Sequence, residues 1–286
     1  MINIQENIQF NILKNNKSFQ NIGLRLFQIG ILLLAAAPSL SFILFLLSSF
    51  LGFLKRKDRY LKDKYNLLLI LTSFLMISNC FLITFDLVKI PELDKSLIWI
   101  GLLNWLPFFW CFWGFQKYLK TEKDRSDSAR FFIIGSIPVL ITGFCQYFLG
   151  LSGPYRFFYN LIIWYQRPIG DDGSVTGLFN NYNYAGAWLC IIFPLCLGFL
   201  FKNYKDKIIK IIIFVLVSSF VLMIVLTTSR SAILAMLISY LVLEKFNKKK
   251  FFAILITITT TILLTKILLL VNIDSQKYVI VSLPTG

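Results

Sequence analysis

The sequence contains no histidine and few charged residues, and both absences limit what it encodes. Without histidine, the chain lacks the side chain that enzymes use most often as a general base. Charged residues make up only 15% of the chain, whereas a soluble domain carries about 25%. The low charge therefore argues against a soluble protein.

The cysteines do not form a metal-binding pattern. All of them lie inside apolar stretches, without the spacing of zinc or disulfide frameworks, so we expect small packing residues. No metal site and no cofactor is therefore predicted. The five cysteines are Cys80, Cys111, Cys145, Cys190 and Cys196.

Long apolar blocks dominate what is present. Hydrophobic residues make up 57% of the chain, in blocks of about 20 residues separated by short charged loops, the pattern of membrane-spanning helices. We predict an all-α, polytopic transmembrane helical bundle of about eight to nine spans.

The net charge of +15 is an orientation signal. Most lysines and arginines lie in four short loops, and such clusters between apolar spans mark the cytoplasmic side. The opposite face is close to neutral, so no nucleic-acid partner is expected, whereas membrane lipids are. The four basic loops are 55–64, 117–130, 202–210 and 244–250.

Three regions are predicted along the chain: a cytoplasmic tail at 1–24, a transmembrane domain at 25–272, and the start of an outer segment at 273–286. Residues 25–54 allow two interpretations: one long helix, or two short helices with a turn at Pro38. The second is preferred because it keeps the basic tail on the cytoplasmic side. Later spans are predicted at 66–85, 97–116, 131–150, 185–201, 211–227, 231–244 and 251–272.

The central outer loop, residues 151–184, is neither a clean apolar span nor a basic loop. Within it, the stretch from Phe157 to Tyr165 is apolar enough to lie in the membrane surface but too short to cross. We predict an interfacial or re-entrant helix there, stopped by the Pro168–Gly170 segment.

Arg230 is the sharpest candidate for a functional side chain. It is predicted at the outer end of its span, where an unpaired guanidinium at membrane depth is costly. Hydroxyl groups, Ser229 among them, surround it, and the N-terminus of the following helix favours an anion. An arginine at such a place suits a phosphate or pyrophosphate, although an arginine that snorkels to lipid phosphate is the competing interpretation.

A second cluster precedes the span at 185–201. Asn180, Asn181 and Asn183 provide amides that suit sugar hydroxyls or phosphate oxygens, and Gly177 allows close backbone approach. A single asparagine here is more often a plain helix N-cap, but three in four residues exceed what a cap needs.

Three further features remain open. Arg156 and Arg167 flank aromatic residues, which suits a glycan or polyprenyl chain and equally an aromatic belt with snorkelling arginines. The pair Asp171–Asp172 more often only solvates a turn. Lys266 lies inside an apolar span, where it either serves a site or snorkels.

Two motifs, in order, carry a family resemblance. TGLFNNYNYAG (176–186) opens one span and LTTSRSAIL (226–234) opens the second span after it, with Arg230 and Leu234 in an Arg-x-x-x-Leu pattern. Together with IIWYQRPI (162–169), they resemble the O-antigen ligase and polymerase family of bacterial envelope enzymes, in a form similar to cyanobacterial members.

The resemblance implies a multi-pass protein of the bacterial inner membrane. Such proteins move a glycan from an undecaprenyl-pyrophosphate carrier to a lipid or glycan acceptor at the periplasmic face. By analogy, Arg230 and Arg167 would hold the pyrophosphate, with Ser229 and Gly177 beside them, and Asn180, Asn181 and Asn183 would orient the donor. No catalytic residue is assigned.

The chain departs from the family in two places. Members carry a long periplasmic loop with a histidine, whereas this chain ends where that loop begins, so we expect a truncated member or one part of a split protein. Members also often place an arginine just before the Thr-Gly pair, and here Arg167 is the nearest. Two other functions are alternatives to glycan transfer. One is a transporter of a small anion, for which we would expect ionisable residues on mid-membrane helices. The other is an inactive partner subunit.

Overall fold

A computed structural model describes residues 21–54, 63–85, 87, 95–170, 173–202 and 205–243. This part of the chain is mostly helical, with one small sheet. In chain order its elements are α1 (Asn21–Leu33), α2 (Pro38–Phe53), α3 (Lys64–Thr84), α4 (Lys95–Phe115), a 3₁₀ turn (Gln116–Leu119), α5 (Glu122–Gly135), α6 (Ile137–Leu149), β1 (Tyr155–Phe157), β2 (Ile162–Trp164), α7 (Tyr182–Leu200), α8 (Lys207–Leu226) and α9 (Arg230–Leu243).

Five helical stretches in this part of the chain are long and apolar enough to cross a membrane. They match the spans predicted near 66–85, 97–116, 131–150, 185–201 and 211–227. The helices α1, α2 and α9 are apolar but shorter, and the predicted span at 251–272 lies outside the described residues. The predicted total of eight to nine spans is therefore not confirmed. The five are Lys64–Thr84, Lys95–Leu119, Glu122–Leu149, Tyr182–Leu200 and Lys207–Leu226.

The chain divides into two compact units, which we describe separately. The first contains Met1–Leu34 and Pro38–Phe131, and the second contains Ala35–Ala37 and Phe132–Gly286. The predicted tail at 1–24 is described only from residue 21, and the predicted outer segment at 273–286 lies outside the described residues.

In the first unit, α1 and α2 form an antiparallel pair of short helices, which confirms the turn predicted near Pro38. Pro38 is the first residue of α2, where proline's missing N–H would have had no intrahelical acceptor. The hydroxyl of Ser41 donates to the carbonyl of Gly30 at 2.7 Å, and that of Ser48 donates to the carbonyl of Gly23 at 2.9 Å. Both hydroxyls are buried and so fix the register of the pair.

The loop predicted at 117–130 is largely helical instead. Thr121 and Asp124 form a capping arrangement, in which the backbone N–H of Asp124 donates to Thr121 Oγ1 at 3.0 Å and the Thr121 hydroxyl donates back to the carboxylate at 2.6 Å. This cap favours the start of α5 at Glu122, because it satisfies the N–H of Asp124, one of the groups that a helix start leaves without an intrahelical acceptor.

In the second unit, α7 packs against α8 and α9. The connection between α7 and α8 is short, so the two helices run antiparallel. A buried apolar core fills the unit and holds the ends of these helices in fixed positions. Its most deeply buried members include Leu189, Ile192, Phe220, Met223, Ile224 and Met236.

The prediction of a helix from Phe157 to Tyr165 is wrong, because this stretch forms an antiparallel hairpin. Strand β1 pairs with β2 with Tyr155 opposite Trp164 and Phe157 opposite Ile162. Aromatic and β-branched residues favour strands, and the apolar stretch is too short for a helix that is stable by itself. The fold is therefore mostly helical rather than all-α.

Candidate functional site

The candidate site lies at one end of the second unit, where α7 begins and where α8 turns into α9. Asn181 is the N-cap of α7, since its side-chain oxygen accepts from the backbone N–H of Asn183 at 2.7 Å. The side-chain oxygen of Asn181 therefore acts as an ordinary helix N-cap, which is the alternative to a binding role. Asn180 is half-buried, and among the described residues its side chain has no hydrogen-bond partner.

Asn183 makes the contact that joins the two sequence motifs. The hydroxyl of Ser229 donates to Asn183 Oδ1 at 2.9 Å, and the Ser229 and Ser231 hydroxyl oxygens lie 3.2 Å apart. Ser229 is buried, whereas Asn183 is exposed. The asparagine-rich segment and the turn before α9 thus form one continuous polar cluster, although they lie far apart in sequence.

Close helix packing makes this contact possible. A Cβ atom added to Gly186 of α7 would lie 2.8 Å from Ala232 Cβ, 3.0 Å from Ser229 Cβ and 3.1 Å from Thr227 Oγ1. Only glycine allows α9 to approach this closely, as small residues do between membrane helices. The neighbouring positions of α7 and α9 are those that a shared site requires.

The turn between α8 and α9 is tightly held. The hydroxyl of Thr227 donates to the carbonyl of Ile224 at 2.7 Å, and the N–H of Ser229 points to the same Thr227 oxygen at 3.4 Å. Between them, Thr228 has a φ of 54°, a left-handed conformation that costs a non-glycine residue about 1–2 kcal/mol. This turn sets the direction in which α9 leaves α8.

Arg230 is the first residue of α9, and its side chain is exposed. Among the described residues, no hydrogen bond or ion pair involves its guanidinium group. The N–H groups in the first turn of a helix have no intrahelical acceptor, and the helix dipole favours negative charge there. Arg230 and the start of α9 therefore offer donors and positive charge at the same place.

A buried amide organises the loop before α7. Gln146 of α6 is only 1% exposed, and its Oε1 accepts from the N–H of Thr176 at 3.0 Å and of Gly177 at 2.9 Å. Its Nε2 donates to the carbonyl of Arg167 and to Thr176 Oγ1. One side chain therefore holds both ends of the segment between residues 167 and 177.

The same network fixes Arg167 and Gly177. The backbone N–H of Arg167 donates to Thr176 Oγ1 at 3.1 Å, while its side chain is exposed. Gly177 has a φ of 55°, and a Cβ atom there would lie 3.2 Å from the carbonyl oxygen of Val139. Gly177 is therefore required for the backbone itself, and it presents no side chain to a ligand.

This loop also touches the end of α8, since the N–H of Val175 donates to the carbonyl of Leu226 at 3.0 Å. The structure thus brings the loop, the start of α7 and the turn before α9 together. Among the described residues, no hydrogen bond joins the Arg167 side chain to Asn183 or Ser229. The central cluster is Asn183, Ser229 and Arg230, with Arg167 on the adjoining loop.

The hairpin is fixed at its base to the second unit. Trp164 Nε1 donates to the carbonyl of Ala36 at 2.8 Å, and Gln166 Nε2 donates to the carbonyls of Thr142 and Leu151 at 3.2 and 3.0 Å. At the tip, Phe158 and Tyr159 are exposed and adopt left-handed backbone angles of 49° and 54°. Arg156 is also exposed, on β1.

Sequence reasoning missed Gln146 and Gln166. The signal for Gln146 was present, because an amide within an apolar span must find partners or incur a large desolvation cost. For Gln166, no local pattern distinguishes a buried amide from a loop amide. Asp171, Asp172 and Lys266 lie outside the described residues.

The described residues contain no group of three or more histidine, cysteine, aspartate or glutamate side chains placed to hold a metal ion. The cluster instead offers a guanidinium group, hydroxyls, amides and a helix N-terminus. These groups suit phosphate oxygens and sugar hydroxyls. Comparison of the chain with protein families, with curated proteins and with solved structures finds no match.

Proposed function

We propose that this protein is a membrane glycan transferase similar to the O-antigen ligases of the bacterial inner membrane. In this proposal, it moves a glycan from an undecaprenyl-pyrophosphate carrier to a lipid or glycan acceptor at the periplasmic face. The observation that carries the proposal is the hydrogen bond between Ser229 and Asn183. It joins the two motifs on which the family resemblance rests.

Arg230 takes the central role in donor binding. Its exposed guanidinium group lies beside the N-terminus of α9, and the two favour the same anion. A guanidinium group can also bind pyrophosphate oxygens through paired hydrogen bonds, which a lysine cannot do. Arg167, whose backbone is fixed on the adjoining loop, supplies a second positive charge to the same donor.

In the transfer step, an acceptor hydroxyl attacks the anomeric carbon of the carrier-linked sugar. A new glycosidic bond forms, the bond from the sugar to the pyrophosphate oxygen breaks, and undecaprenyl pyrophosphate leaves with the bonding electrons. Because pyrophosphate is already a good leaving group, the protein contributes mainly positioning and charge stabilisation. We assign no residue to removal of the acceptor's proton.

Binding of carrier lipids to the purified full chain in detergent tests this proposal. Three polyprenyl lipids with matched chains serve as probes: undecaprenyl pyrophosphate, undecaprenyl monophosphate and undecaprenol. We expect affinity to fall in that order, because each step removes negative charge that Arg230 and Arg167 would bind. Equal affinity for all three would show that only the polyprenyl chain is recognised, and would contradict the proposal.

A further inference from the structure

A groove lies at the other end of the α7–α8 pair, far from the candidate site. Helix α8 has 20 residues, so its ends are about 30 Å apart at 1.5 Å per residue. The groove has a volume of about 390 Å³, within the range of small-molecule sites, about 300–1,000 Å³. It is lined by Leu200, Lys202, Lys210, Ile211 and Phe214.

The charged and the apolar lining residues occupy different parts of the groove. Lys202 follows the end of α7, and Lys210 lies on the first turn of α8, so two cations from different segments border one groove. Ile211 and Phe214 continue along the same face of α8, with Phe214 one turn beyond Lys210. Side chains three and four residues apart share a helix face, so the charged end of the groove leads directly into an apolar floor.

The two lysines have no charged partner within the part of the chain that the structure describes. Among the described residues, no hydrogen bond or ion pair involves either ammonium group. The nearest carboxylate in sequence is Asp206, and it caps α8 by accepting from the N–H of Ile208 at 2.8 Å. Ile211 and Phe214 are 61% exposed, so the described residues leave most of their apolar surface uncovered.

We propose that this groove is a binding site for one anionic phospholipid of the surrounding bilayer. The lysines contact the phosphate and its headgroup, while the first methylenes of an acyl chain cover Ile211 and Phe214. A lysine at the end of a membrane helix lies at the depth of the headgroups, and α8 is apolar enough to span. A free phosphate would leave the apolar floor uncovered, so the lipid is the ligand that matches the whole groove.

The test measures lipid affinity of the delipidated full chain in detergent by calorimetry. The probes are short-chain phosphatidylglycerol, phosphatidylcholine with the same chains, and inorganic phosphate. The chain offers a matched control, because Lys205 in the α7–α8 connection and Lys207 at the start of α8 are exposed but do not line the groove. The double variant K202Q/K210Q is therefore compared with K205Q/K207Q, which removes the same charge.

We expect K202Q/K210Q to lower the affinity for phosphatidylglycerol by about tenfold or more, since a charge-assisted hydrogen bond contributes about 1.5–3 kcal/mol. We expect K205Q/K207Q to change the affinity for phosphatidylglycerol by less than about threefold, because charges outside the groove act only through screened, longer-range attraction. Phe214→Ala weakens phosphatidylglycerol binding as well, which tests the apolar floor.

Three results would overturn the proposal. Equal losses in the two double variants would show general attraction to a basic loop. Equal affinity for phosphatidylcholine would remove the role of the lysines. Competition by inorganic phosphate at the lipid's own concentration would identify a site for a free anion.

Discussion

The hydroxyl of Ser229 donates a hydrogen bond of 2.9 Å to the side-chain oxygen of Asn183, across 46 positions of sequence. Ser229 precedes α9 and Asn183 lies in the first turn of α7, so this bond connects two helix N-termini. Each N-terminus favours negative charge, and Arg230 follows Ser229 directly. The bond therefore places a cation and two helix starts at one end of the second unit.

A double-mutant cycle tests whether this bond stabilises the site. We expect Ser229→Ala and Asn183→Ala to show a coupling free energy of about 0.5–1.5 kcal/mol in the unfolding of the detergent-solubilised chain. The control cycle pairs Asn183→Ala with Ser239→Ala, because the Ser239 hydroxyl donates to the carbonyl of Ala235 within α9. The control coupling should be near zero, and an equal coupling in both cycles would count against a specific bond.

The close approach of α7 and α9 depends on Gly186. We expect Gly186→Ala to lower the free energy of unfolding by about 1–3 kcal/mol, since the added methyl would overlap Ala232 and Ser229. Gly198 is the matched control on the same helix, because nothing lies within 4 Å of a Cβ atom added there. Gly198→Ala should be neutral or slightly stabilising, and a loss as large as that of Gly186→Ala would refute the packing argument.

Gln146 should be essential to the loop that carries Arg167. Gln146→Leu leaves two buried N–H groups, those of Thr176 and Gly177, without their acceptor. We expect a loss of about 2 kcal/mol or more in stability, since each buried unsatisfied group costs about 1–3 kcal/mol. Gln28→Leu is the control, because Gln28 is half-buried on α1 and makes no side-chain hydrogen bond among the described residues. Equal melting temperatures for the two variants would contradict this role of Gln146.

Hydropathy predicted the positions of the helices well and their interruptions less well. The turn near Pro38 was predictable because proline breaks the apolar stretch and two short helices keep the basic tail on the cytoplasmic side. The hairpin was not, because Phe157 to Tyr165 has the composition of a membrane-surface helix, and its strand pairing is decided by partners such as Trp164 and Tyr155. Composition in a short apolar stretch does not distinguish these two outcomes.

The residues proposed for the candidate site stood out in the sequence, whereas the hydrogen bonds that connect them did not. The Asn183 and Ser229 motifs stood out as polar groups beside apolar spans, whereas their contact depends on the packing of α7 against α9. Gln146 could be identified as unusual within its span, but its partners lie 21 to 31 residues away along the chain. Pairing at that separation depends on tertiary packing, which a single sequence does not reveal.

Membrane orientation is tested by cysteine labelling in a variant without the five native cysteines. Because α7 and α8 run antiparallel, Asn183 and Arg230 lie at one end and Lys205 at the other. We expect a membrane-impermeant maleimide to label Asn183→Cys and Arg230→Cys in intact spheroplasts, since the basic loops mark the cytoplasmic side. Lys205→Cys should react only after lysis. The reverse pattern would exclude a periplasmic site.

The most direct test of the account is the affinity of Arg230 variants for undecaprenyl pyrophosphate, measured with purified full-length protein in detergent. We expect Arg230→Ala to lower the affinity by about tenfold or more, because a charge-assisted hydrogen bond contributes about 1.5–3 kcal/mol. The affinity of Arg230→Lys should lie between those of the wild type and Arg230→Ala, since lysine keeps the charge and loses the paired geometry. Arg25→Ala, at an exposed arginine of α1, should leave the affinity unchanged. Equal affinity for the wild type and for both Arg230 variants would mean that Arg230 only snorkels to lipid phosphate, and would contradict the proposed donor site.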